Sequence, residues 1–182
     1  MSGSSKRRSS VEAEIRATYP ELSREPSAVI ATRNELVHLL NHELPPSEWH
    51  PVTQERVNTF AVITGDCNWI HTDPTRAVRE GPYGGCVAHG YLSLSLLPML
   101  IAEVVAFTGV TTVNYGLDRV RFPAPLFVGT SIRASVLISD VLDTSVGTRV
   151  ALRASIESDA SERPVCVADV QWHVGFPKEE SR

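Results

Sequence analysis

The sequence predicts an α+β chain, on three observations. A strongly apolar, helix-length stretch lies near the middle, β-branched runs fill the C-terminal half, and short turn-forming segments join those runs. Such short connections favour antiparallel strands, and helices gathered ahead of them suit a helical half packed on a curved sheet. No period of about 20 to 50 residues recurs, so the body reads as one unit over residues 28–182.

The elements follow in order. Polar residues, prolines and charge dominate residues 1–27, and this composition cannot bury enough surface to offset its ordering entropy, so a mobile N-terminal tail is expected. It is no secretory leader, because Lys6, Arg7 and Arg8 are not followed by an apolar run. His38 and His42 stand at i, i+4 in ELVHLLNHELPP, the spacing of half a metal site on a helix. No HExxH accompanies them, and an ordinary amphipathic helix explains the pattern. Thr53 caps a helix in which Val57, Phe60, Ala61 and Thr64 recur on one face and Gly65 ends it. After the loop GDCNWIHTD, Asp73 with Pro74 opens a brief helix that stops at Gly81. From His89 to Phe107 the residues are apolar nearly all round, which predicts a helix wrapped by other structure and kinked at Pro98. That stretch is shorter than the roughly 20 residues a membrane span needs, and Ser93, Ser95 and Glu103 interrupt it. Beyond Gly109 the runs TTVNYGLDRVRF, with PAPLFVG following it, TSIRASVLISDVLD, VGTRVALRASIES and RPVCVADVQWHV read as four long strands. Ile132, Ala134, Val136 and Ile138 alternate with polar neighbours, as do Val150, Leu152, Ala154 and Ile156, so one sheet face is buried.

Composition excludes several functions. Of 182 residues, 17 are Lys or Arg and 21 are Asp or Glu, and a net charge of -4 without a basic face argues against nucleic-acid binding. The three cysteines show no CxxC spacing, so neither a disulfide framework nor a zinc knuckle is encoded and a reducing cytoplasm is the simplest compartment. No dinucleotide fingerprint, phosphate loop or nucleophile elbow occurs, and no cofactor is implied. Arg119 and Arg121 fall on one face of a predicted strand, where they reach either solvent or a carrier phosphate.

Chemistry is expected between the first helix and the long apolar one. Asp66, Asn68, His71, Asp73 and His89 lie in a stretch otherwise rich in Gly, Pro and Ala, and polar groups leading into a buried helix are costly unless satisfied or used. Asp66 and His71 are five residues apart on a turn-prone loop, so both can converge on one water. A carboxylate beside an imidazole can take a proton from water and return one. Asn68 either orients that pair or forms a turn. Asp73 reads as a helix cap. His89 either bonds substrate or water or serves as a capping or packing residue at the helix entrance. Cys67, with no cation placed to activate it, reads as a small buried residue.

The segment FAVITGDCNWIHTDPTRA, followed by PYGGCVAHGYLSLSLL, resembles the hydratase signature of the MaoC-like dehydratases, the (R)-specific enoyl-CoA hydratases. Phe60, Gly65, Asp66, Asn68, His71, Asp73, Pro74, Ala77, His89 and Gly90 stand in the family's order and spacing. With YGLDRVRFPAPLFVGTSIRA the resemblance runs from Trp49 to Val174, and Trp69 with AHGYLSLSL is similar to the nodulation protein N-like branch. The resemblance implies a hotdog fold, with the long helix wrapped by the sheet, and a homodimer whose sheets continue across the interface. It implies Asp66 and His71 as the catalytic pair and Gly90 as oxyanion donor. The implied reaction is reversible hydration of a trans-2-enoyl thioester, on coenzyme A or acyl carrier protein, to the (R)-3-hydroxyacyl thioester. Which of the pair handles which proton stays open, as does a non-catalytic alternative that binds acyl thioesters or a signalling lipid. A pure binder would have no chemical need for both Asp66 and His71.

Overall fold

The computed structural model describes residues 25–176, so most of the expected tail lies outside the described residues. Four long antiparallel strands form the body of the sheet: β4 (Thr111–Arg121), β5 (Ser131–Thr144), β6 (Gly147–Ser158) and β7 (Ser161–Gly175). With the two-residue β2 (His50–Pro51) they give the order β2-β5-β6-β7-β4. The meander expected from the short connections holds for β5, β6 and β7, whose hairpins close at Ser145-Val146 and Asp159-Ala160. Gly147 sits at φ +137, and a Cβ there would stand 2.9 Å from the Val174 carbonyl, so the first hairpin needs glycine. β4 departs from the meander by pairing with β7 at the far edge, which sends residues 122–130 across the molecule to reach β5. PAPLFVG lies in that crossing and forms no strand. Pro123 and Pro125 cannot donate to a ladder, and only an isolated bridge from Phe127 to Val87 remains.

The inward faces of the strands follow the alternation. Ile132, Ala134, Val136 and Ile138 of β5 and Val150, Leu152, Ala154 and Ile156 of β6 are all buried. They meet Leu97, Leu100, Ile101 and Val104 of a long helix, α5 (Gly90–Val104), in one core cluster. The helix is shorter than the sequence suggests. Val105–Phe107 leave it as β3 and pair in parallel with β1 (Ala28–Ile30), because a β-branched residue at 105 and an available extended partner favour a strand over another helical turn. Ser27 donates to the Glu103 carbonyl at 3.0 Å, which ties the chain just before β1 to the end of α5.

Glu103 explains how a carboxylate tolerates this helix. It and His50 are buried, one carboxylate oxygen lies 2.7 Å from His50 Nε2, and the other accepts the Glu48 N–H at 3.0 Å. The imidazole and the carboxylate are in close contact there without forming an aligned hydrogen bond. Early in the chain, α1 (Arg33–His38) ends before His42, and Asn41 at φ +58 turns the backbone toward Ile138. His38 and His42 therefore share no helix face. Arg119 also sits at positive φ, in an irregular stretch of β4, so the regular alternation expected to set Arg119 and Arg121 on one face is broken there; Arg119 pairs with Asp169 at 2.8 Å.

Candidate active site

Local rules place the site residues. Helix α2 (Gln54–Thr64) begins at Thr53, whose hydroxyl accepts the Arg56 N–H, and ends at Gly65 in the left-handed region. That reversal delivers Asp66 to the molecular surface next to the entrance of α5. Asn68 then caps the one-turn helix α3 (Trp69–Thr72), its side chain accepting the Ile70 N–H at 3.3 Å. Asp73 caps α4 (Pro74–Glu80) by accepting from Arg76 at 2.9 Å, with Pro74 in the first turn, as the sequence suggests.

His71 is fixed on two sides. Gln54 donates to its carbonyl at 2.7 Å, and its ring Nδ1 lies 2.6 Å from the Val87 carbonyl. A carbonyl only accepts, so Nδ1 carries a proton, and in the neutral ring this leaves the Nε2 lone pair open. One carboxylate oxygen of Asp66 and one ring nitrogen from each of His71 and His89 lie within 4.8 Å of one another. A gap of that width admits a single water bonded to both the carboxylate and the imidazole. The His71 and His89 rings are 3.8 Å apart and inclined by 31°.

Behind His71 opens a cavity of about 380 Å³ whose wall includes Gly90, Ser93, Tyr83, Phe122 and Leu126. Gly90 begins α5, and the first bonds of that helix are donated by Leu92 and Ser93, both to His89. The Gly90 N–H thus precedes the hydrogen-bonded ladder at the positive end of a 15-residue helix, the setting for stabilising an oxyanion. Phe122 packs on this residue: a Cβ at position 90 would lie 3.0 Å from its ring.

The structure brings Asp66 and His71 together and sets Gly90 on the same cavity as His71. The Asn68 side-chain oxygen caps α3, the turn-forming role, and its main-chain N–H donates to an Asp66 carboxylate oxygen at 3.4 Å. Cys67 corrects the expectation: it is exposed, because the loop turns outward after Gly65. His89 is the residue whose part a sequence reading understates. It stands at the capping position of α5 but makes no side-chain cap bond; its imidazole is buried against Asp66 and His71. The available signal was its place in a polar cluster opening a buried helix.

Fold and site together define the class. A family model described as MaoC like domain matches residues 37–160, and the chain belongs to that family. Among curated relatives, 3-hydroxyacyl-thioester dehydratase Z of Mycobacterium tuberculosis (strain ATCC 25618 / H37Rv) is 42% identical over 137 residues, covering 74% of this chain and 90% of that protein. Nodulation protein N of Rhizobium meliloti (strain 1021) is 33% identical over 144 residues, covering 75% and 86%. Among solved structures, an R-hydratase from Pseudomonas aeruginosa in its unliganded form superposes with a TM-score of 0.63 at 20% identity, covering 79% of this chain and 88% of that one. An (R)-hydratase from A. caviae gives 0.58 at 21% identity, covering 74% and 98%. The fold is hotdog-like, α5 packed against a curled five-stranded antiparallel sheet.

Proposed function

We propose that this chain is a hydro-lyase of fatty acid metabolism that reversibly hydrates trans-2-enoyl thioesters to (R)-3-hydroxyacyl thioesters. The observation that carries this reading is the convergence of Asp66 and His71 beside a cavity that Gly90, the first residue of α5, also lines. Membership of the MaoC-like family supports it, as does 42% identity to a protein named 3-hydroxyacyl-thioester dehydratase Z.

The water sits between the Asp66 carboxylate and the His71 Nε2 lone pair. As its oxygen bonds to C3 of the substrate, one member of the pair takes a proton from it, and electron density moves through C2 onto the thioester oxygen. The Gly90 N–H stabilises that oxyanion. When the carbonyl re-forms, C2 takes a proton from the pair, so one water is added and both side chains return to their starting states. Both proton transfers belong to the pair. The dehydration runs through the same steps in reverse.

The substrate arrives on coenzyme A or acyl carrier protein, and the working form is a homodimer. Strand β4 supports the dimer, because it is a sheet edge with Val113, Tyr115 and Leu117 exposed along it, and unpaired edges with apolar side chains invite a partner strand. Hydration of crotonyl-CoA and longer enoyl-CoAs, followed by loss of enoyl absorbance without added metal or nucleotide, tests the activity. Turnover above the uncatalysed rate at some chain length is expected; binding of acyl-CoA without turnover at any length would replace the enzyme with a binding module.

A further inference from the structure

We propose that His89 is a positioning residue for the Asp66 and His71 pair, holding the Asp66 main chain through Nε2 and bracing His71 with its ring face; this rests on the catalytic reading of that pair. His89 is 3% exposed, and a buried imidazole is costly unless it is used. It does not cap α5. Its Nε2 instead lies 2.9 Å from the Asp66 carbonyl and 4.0 Å from an Asp66 carboxylate oxygen. Because the carbonyl can only accept, Nε2 carries the ring proton. Nδ1 has no partner among the described residues. The ring stacks on His71 at 3.8 Å and packs against Phe60 at 5.2 Å, which fixes its orientation.

Asp66 needs such a clamp. It follows Gly65 in left-handed backbone, and its side chain is 56% exposed. Its other hydrogen bonds are long: 3.4 Å from its own N–H to the Thr64 hydroxyl and 3.4 Å from the Asn68 N–H to its carboxylate. The bond from His89 is the short one. Without it the carboxylate is free to swing into solvent on its loop, and a displacement of about 1 Å is enough to cost a positioned group about a hundredfold in rate.

The two ring nitrogens make the inference testable. The amide nitrogen of Gln reaches the place of imidazole Nε2, and that of Asn the place of Nδ1. In crotonyl-CoA hydration, His89→Gln is expected to keep kcat within about fivefold of wild type. His89→Asn should lower kcat by about a hundredfold, with KM changed by no more than about threefold. If the Asn variant does not fold, His89→Phe takes its place; it keeps a flat ring over His71, removes the donor and carries the same expectation. In an Asp66→Asn background, losing the donor should cost less than about twofold, because the carboxylate it positions is gone. Equal kcat for the Gln variant and either donor-lacking variant, or an undiminished loss in the Asp66→Asn background, overturns the positioning role while wild-type activity stands. A wild-type protein inactive at every chain length overturns the catalytic reading and this inference with it.

Discussion

Asp66 and His71 share one water in this account, and that sharing has a kinetic signature. Asp66→Asn and His71→Ala are each expected to lower kcat by about a hundredfold or more, the usual worth of a positioned acid or base. The double variant should lose far less than the product of the two, since either deletion disables the same unit; steady-state kinetics of the three variants, with folding checked by circular dichroism, decides it. The cysteines give a second expectation. Burial, reinforced by the Asp73 carboxylate, raises the Cys86 thiol above its ordinary range, and burial pushes Cys166 up to about 11, while Cys67 is exposed. Raised thiols stay protonated as pH climbs toward 8, so iodoacetamide at that pH should label Cys67 alone in the native protein and all three in urea, read by mass spectrometry. Cys67→Ser should keep full activity. At this scale the sequence made Asp66, His71 and the capping role of Asp73 legible, because spacing and turn chemistry are local. The exposure of Cys67 and the burial of His89 depend on which way a loop faces once α5 has docked, and no local pattern carries that.

Among the elements, α5 depends most on distant partners. The Glu103 carboxylate meets His50 and the Glu48 N–H around the end of that helix, so its removal leaves a buried imidazole without its neighbour and a main-chain N–H without its acceptor. Glu103→Leu is therefore expected to destabilise the fold by about 3 kcal/mol, measured by urea denaturation as a lower midpoint with little change in slope. An unchanged midpoint would mean that the pair contributes no net stability. The elements themselves were largely legible: Thr53, Gly65, Asp73 and Pro74 set the borders of α2 and α4, and alternation sets the buried faces of β5 and β6. Where α5 yields to β3 was not legible, since Val105–Phe107 are apolar in either conformation and the pairing with Ala28–Ile30 decides between them. The pairing of β4 with β7 is likewise a long-range choice, made by the crossing of residues 122–130.

On the scale of the whole molecule, α5 buries Leu92, Leu97, Leu100, Ile101 and Val104, while Tyr91, Ser95, Pro98 and Ala102 form an exposed stripe, so the helix is covered on one side and not all round as its composition suggests. The sheet leaves the β4 edge open. If β4 joins two copies, light scattering on an eluting column should give the mass of two chains, and Val113→Lys with Tyr115→Lys should give one, because charge on an edge strand blocks pairing. A wild-type monomer would remove the dimer from the account. The central claim is that Asp66, His71 and the Gly90 N–H together hold one face of a planar enoyl thioester toward one water. Such a site delivers oxygen to a single face of C3. Hydrating an enoyl-CoA, hydrolysing the product thioester and resolving the hydroxy acid on a chiral column tests that directly. The expected result is the (3R) acid alone; a racemate would contradict a fixed substrate face, and pure (3S) product would contradict the site geometry described above.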